Sequence, residues 1–320
     1  MMSGGMDHHG AASPLRTPRI EAMKHSQDCA RRWWKGVIPL MVFPCLVPVL
    51  AHDYRPRWAV MWLLAFAIFC GCKWMTWRGA RIAGASLRRN LGYLLAWPGL
   101  DADGFLNPDP RAASPRPSKA EWLFALLKFA LGLAVLYGIV PLLRGNDAYL
   151  VGWVGMVGIV LLLHFGSFHL LSCAWRTAGV MAKPVMNWPL LSTSLGDFWG
   201  RRWNTAFRDL THRFLFRPLT PRLGPRGAVF AGFVFSGVVH DVVISWPAEG
   251  GYGGPTAYFI IQGAGILVER SRVARAIGLG KGWRGWFAAM ILLVGPAWAL
   301  FHPPFVLRVV VPFLHYLGAV

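Results

Sequence analysis

Three observations predict an all-α polytopic integral membrane protein. Of 320 residues, 55% are hydrophobic and only 15% charged, with a mean hydropathy of +0.42, a departure from soluble composition towards a bilayer-spanning chain. The apolar residues gather into runs long enough to cross a hydrocarbon core about 30 Å thick. The 33 Lys and Arg, source of a net charge of +19, sit in the connections between those runs and form no basic repeat, zinc spacing or nucleic-acid module. The charge is therefore read as membrane topology, with no nucleic-acid partner.

In chain order, residues 1–33 are polar and basic with no apolar segment; they are read as a mobile cytoplasmic tail, not a cleavable signal peptide, so the first span serves as targeting signal. Residues 34–320 are expected to form one transmembrane domain. Its apolar windows predict helices near 34–51, 58–75, 121–143, 149–171, 227–247, 255–269, 283–301 and 304–318, about eight in all, the sixth and eighth short. A cytoplasmic N-terminus places most Lys and Arg on the inner side, in the tail and in connections 73–119, 172–226 and 270–286. The compact length and absence of sorting signals point to a bacterial plasma membrane. Cys29, Cys45, Cys70, Cys72 and Cys173 lack metal-ligand spacing, so free thiols and no metal are expected.

Two inner connections are long. Residues 76–119 carry an Arg-rich stretch and then prolines and glycines from Pro98 onward, which forbid a continuous helix and read as an interfacial helix followed by a loop. Residues 172–226 hold SLGDFWGRRWN (Ser194 to Asn204) and then TAFRDLTHRFLFRPL, whose Phe207, Leu210, Phe214 and Leu215 recur at helical spacing between charges. That is an amphipathic, basic helix at the inner surface.

The candidate chemistry lies in two places. His240 and Asp241 interrupt the apolar run GAVFAGFVFSGVVHDVVISW, where an ionisable group is costly and by default functional. A neutral imidazole there can act as a base, whereas a structural histidine would only hydrogen-bond a neighbour. Asp241 follows at about 100° around a helix; it is expected to pair with a basic side chain or face the watery end of a cavity, and it equally fits a solvated carboxylate. At the other place, Asn204 offers an amide suited to a carbonyl or thioester oxygen, with Trp199 and Trp203 in support. Arg201 and Arg202 suit the phosphates of a bulky anionic donor, or simply anchor to lipid head groups. His164 and His169, about 140° apart on a helix, cannot jointly hold a metal as an i, i+4 pair can, and read as polar packing or cavity lining. No G-x-S-x-G, P-loop or dinucleotide fingerprint is present.

SLGDFWGRRWN followed by a basic amphipathic helix and then FVFSGVVHD resembles the membrane-bound O-acyltransferases, specifically their wax synthase-like branch. YLLAWPGLDADGFL (Tyr93 to Leu106) and PTAYFIIQGAGILVER (Pro255 to Arg270) are similar to that branch too, so the likeness runs from about residue 90 onward. It implies a helical fold with an internal tunnel and transfer of an acyl group from acyl-CoA to a hydroxyl inside the membrane. Acyl-CoA is then a substrate, with no permanently bound cofactor; the other partners are membrane lipid and a hydroxyl-bearing acceptor. The family's catalytic histidine falls on His240 and its polar partner on Asn204. Many relatives carry Glu after the histidine, where this chain has Asp241; the sterol and diacylglycerol branches differ before their Trp-Asn. Wax-ester synthesis leads. An O-acetyltransferase acting on a secondary metabolite or glycan, and a transporter using His240-Asp241 as a proton relay, remain the alternatives.

Overall fold

The computed structural model describes residues 37–49, 56–82, 84–109, 111 and 113–320. The N-terminal tail, Cys29 and the ends of the first expected span lie outside the described residues. The described chain is helical with no strand. Its elements are α1 (Val37–Val49), α2 (Arg57–Arg78), α3 (Leu87–Ala96), α4 (Ala102–Leu106), α5 (Lys119–Leu142), α6 (Ala148–Thr177), α7 (195–202), α8 (Thr205–Ala248), α9 (Gly254–Glu269), α10 (Arg272–Ala276), α11 (Gly282–Leu300) and α12 (303–316). A helix stands at each of the eight expected positions. Of these, α2, α5, α6, α8 and α11 are long and apolar enough to cross a membrane, while α1, α9 and α12 are shorter. Exposed Leu, Ile, Val and Phe along these helices face outward, as a lipid solvent permits.

One boundary differs from expectation. The basic amphipathic helix is not a separate strut: it runs into the following span as the two arms of α8, bent at Gly224 (φ 66°, ψ 170°). That conformation is essentially open only to glycine. Pro225 follows it and has its φ pre-set for the new helical arm.

Elsewhere the spans pack at very short range. A Cβ on Gly132 would lie 2.5 Å from the Leu162 backbone nitrogen, and one on Gly166 would lie 2.7 Å from Phe129 Cα; α5 and α6 thus touch backbone to backbone. A polar network completes that contact, with Glu121 of α5 accepting from His169 and Arg176 of α6. Near its C-terminal end α8 is fastened by Arg57 and Arg308, which donate to the Ala248 carbonyl at 3.1 and 3.2 Å.

The connection 76–119 folds back on α2. Lys73, 2% exposed, donates to the Gly99 carbonyl and lies 3.6 Å from the Tyr93 ring centroid. Tyr93 and Thr76 share a hydrogen bond at 2.7 Å. Around them Trp97, Phe105 and Leu106 form a buried core. A lysine at the end of a span looks like positive-inside charge in the sequence; here it is an internal fastener.

Candidate active site

His240 sits at the last residue before α8 shifts to π-helical winding over Asp241–Ser245, an irregularity common at functional positions. Its Nδ1 lies 2.7 Å from the Ser236 carbonyl oxygen. A carbonyl can only accept, so Nδ1 carries the hydrogen, and in the neutral ring Nε2 holds the lone pair. Nε2 has no hydrogen-bond partner among the described residues. The ring packs on Phe259 of α9, centroids 4.4 Å apart.

Asp241 points elsewhere and corrects the expectation of a basic partner. Its carboxylate accepts from Ser245 Oγ at 2.8 Å, Gly253 N–H at 2.9 Å, Thr256 N–H at 3.0 Å and the Thr256 hydroxyl. Two of those donors are free backbone groups at the start of α9, so Asp241 supplies from a distance the cap that Gly253, at the N-cap position, has no side chain to provide. The junction is close, because a Cβ on Gly237 would lie 2.7 Å from Thr256 Cα. Behind Asp241 stands His302, whose Nδ1 accepts from Phe305 N–H at 3.2 Å. Its Nε2–H therefore donates to Ser245 Oγ, 3.1 Å away, and Ser245 donates on to Asp241. Burial pushes the His302 imidazole below its usual range, which keeps the ring neutral in this chain of donors.

The Trp-Asn segment is built with equal economy. Ser194 Oγ accepts from Asp197 N–H at 2.9 Å, while Glu269 at the far end of α9 accepts from Leu195 N–H at 2.7 Å and Gly196 N–H at 3.2 Å, so α7 starts fully capped. Asp197 is 7% exposed and receives both Arg201 Nε at 2.8 Å and Arg202 Nε at 2.6 Å. One carboxylate thus holds two guanidiniums and leaves net positive charge; the Arg201 side chain is 75% exposed.

Asn204 takes a left-handed conformation (φ 42°) and its Oδ1 accepts from Phe207 N–H at 3.2 Å, capping α8. That bond assigns the amide: the oxygen is used, and the NH2 has no partner among the described residues.

Aromatic rings connect the two places. His240 touches Phe259, Phe259 touches Trp199 (5.5 Å), Trp199 touches Phe198 (5.0 Å), and Phe198 stacks on Trp203 (5.4 Å), the neighbour of Asn204. No hydrogen bond joins His240 to Asn204 among the described residues. Gln262, fully buried, receives the Trp199 indole N–H at 3.3 Å and donates to the Leu292 carbonyl at 2.7 Å, which orients Trp199 against α11. The sequence held a signal for it, since a lone amide inside FIIQGAGIL is costly in a membrane unless it pairs.

Other polar clusters stand apart. Glu121, His169 and Cys173 place one ligand atom each within 4.8 Å of one another, yet Arg176 pairs with Glu121, and Lys128 Nζ lies 2.6 Å from His169 Nδ1. Glu121 and His169 are thus already engaged by cationic side chains, so the cluster reads as an ion-pair network. A half-open cleft of about 370 Å³ lies beside Trp77, Arg78, Arg81 and Asn90, and none of the candidate site residues lines it.

Comparison with known proteins covers this region. A family model for the membrane bound O-acyl transferase family matches residues 182–261, which contain both Asn204 and His240. A long-chain-alcohol O-fatty-acyltransferase of Simmondsia chinensis is 30% identical over 152 residues, 42% of this chain and 41% of that protein. A probable long-chain-alcohol O-fatty-acyltransferase 1 of Arabidopsis thaliana is 34% identical over 107 residues, 28% of this chain and 29% of that protein. An acyl-CoA–sterol O-acyltransferase 1 of the same plant is 40% identical over 68 residues, 19% of this chain and 20% of that protein. The chain thus matches about two fifths or less of the length of these relatives. The chain is thus similar to the membrane-bound O-acyltransferase family over residues 182–261, and to long-chain-alcohol O-fatty-acyltransferases over up to 42% of its length, in an all-helical fold that carries both the Trp-Asn segment and the histidine span.

Proposed function

We propose that this chain transfers a fatty acyl group from acyl-CoA to the hydroxyl of a long-chain alcohol, with His240 as general base. The observation that carries this reading is the tautomer of His240: Ser236 holds Nδ1–H, so the unpartnered Nε2 is the basic nitrogen. The alcohol loses its proton to Nε2 as its oxygen attacks the thioester carbonyl. Asn204, whose NH2 is free, donates to the carbonyl oxygen as negative charge develops there. The carbon–sulfur bond then breaks and the thiolate takes the proton from the imidazolium, releasing ester and CoA. No covalent enzyme intermediate is needed. Acyl-CoA approaches from the basic face, where the free N–H groups of Arg201 and Arg202 can meet phosphate. Of the two acceptor types in the relatives' names, alcohol and sterol, the first is adopted because it belongs to the longer matches.

The test is CoA release by detergent-purified protein and His240→Ala, supplied with acetyl, octanoyl and palmitoyl donors and mixed alcohols, with thermal unfolding to confirm that the variant is folded. Release with palmitoyl-CoA that disappears in the variant is expected. No release by wild type, or equal release by both, overturns the reading. Preference for acetyl-CoA would point to an O-acetyltransferase, and substrate movement without thioester consumption to a transporter.

A further inference from the structure

We propose that His164 is a second ligand-facing histidine, hydrogen-bonding the amide-rich pantetheine arm of bound acyl-CoA beside Trp203 and Asn204. The inference rests on the function proposed above and adds to it a residue that binds donor without touching the reacting bonds.

His164 lies in α6 where the helix winds as a π segment, Leu161–Ser167. Its Nδ1 is buried and has no partner, and neither ring nitrogen is hydrogen-bonded among the described residues. Buried polar groups are nearly always satisfied, so His164, like Trp62 and Ser114, is open to a partner from outside the chain. The neighbouring winding makes the orphan understandable. His240 satisfies its Nδ1 on the carbonyl four residues back, whereas in this π segment Ser167 reaches five residues back, to Leu162 at 2.8 Å, and His164 reaches nothing.

The surroundings say which ligand. The imidazole lies nearly parallel to the Trp203 ring (15°, centroids 6.4 Å apart), with Phe168 edge-on at 5.3 Å and Phe165 edge-on to Trp203 at 6.1 Å. The Trp203 indole N–H and the Asn204 NH2 are likewise without partners among the described residues. His164 thus lies beside Trp203, the chain neighbour of Asn204, among aromatic rings and near the group that the reaction assigns to the thioester. A neutral imidazole offers one donor and one acceptor, which matches a secondary amide, and the pantetheine arm on the sulfur side of the thioester carries two of them. The acceptor alcohol is met by His240, whose ring packs on Phe259 and not on Trp203.

His164→Phe keeps the ring and removes both nitrogens; His164→Gln keeps a donor and an acceptor. Steady-state kinetics with palmitoyl-CoA and a long-chain alcohol should show KM for the donor raised about tenfold in His164→Phe, with kcat within about twofold and KM for the alcohol unchanged. His164→Gln should recover most of the loss. Thermal unfolding of His164→Phe should come at the wild-type temperature or above, because a buried orphan has been removed. Without turnover, CoA should raise the wild-type unfolding temperature more than adenosine 3′,5′-bisphosphate, which lacks the pantetheine arm. In His164→Phe that difference should vanish. An unchanged donor KM and CoA shift, an increase confined to the alcohol KM, or a lowered unfolding temperature in both variants overturns the assignment. A wild type that neither consumes acyl-CoA nor is stabilised by CoA fails the underlying function first.

Discussion

His240 and Asp241 are neighbours on the chain and opposites in the fold. The imidazole spends one nitrogen on Ser236 and keeps the other unpartnered; the carboxylate accepts four hydrogen bonds and keeps nothing. Both would be costly in a bilayer if left alone. The contrast teaches that a buried polar group is available for chemistry to the extent that the fold leaves one of its positions unfilled. Asp241 is a fastener between α8 and α9, as Lys73 is between α2 and the segment around Tyr93. His240 and Asn204 each use one end of the side chain to hold position and leave the other end open.

The contrast can be broken from either side. His240→Ala should lower kcat about 10²–10⁴-fold, the usual worth of a general base, with little change in thermal unfolding. Asn204→Asp keeps the capping oxygen and removes the amide donor, so kcat should fall about 10²-fold or more while stability holds. Asp241→Ala should do the reverse: several donors lose their acceptor, and stability should drop by about 2–3 kcal/mol, read as earlier unfolding in detergent. If His240→Ala unfolds early and Asp241→Ala does not, the division of labour is wrong. Gly237→Ala puts a Cβ 2.7 Å from Thr256 Cα and should cost about 1–3 kcal/mol by overpacking, seen as an earlier unfolding midpoint. Arg201→Ala is the mildest. Its exposed ion pair is worth little, and donor KM should rise about two- to threefold in steady-state assays, because Arg202 stays on Asp197.

Helix positions were legible because long apolar runs have few alternatives: the run expected at 255–269 is Gly254–Glu269, and that at 304–318 is a helix over 303–316. The His-Asp pair stood out as polar groups where polarity is expensive, and the Trp-Asn segment as aromatics, arginines and an amide gathered in one connection. What stayed hidden depends on distant partners or on winding. Nothing near Asp241 says that its ligands are Gly253 and Thr256, and nothing near Lys73 says that it meets Gly99 and Tyr93. His164 is unpartnered within a π-wound segment, and the apolar pattern around it gives no sign of that winding.

One residue of α8 has a geometric consequence. Asn204 begins the surface arm and His240 ends the regular part of the spanning arm, with Gly224 between them. The arm that starts at Asn204 and the arm that reaches His240 therefore meet at a sharp backbone joint, like the elbow of a pair of compasses. A side chain there would meet nothing within 4 Å, yet it would strain the left-handed backbone on which the bend depends.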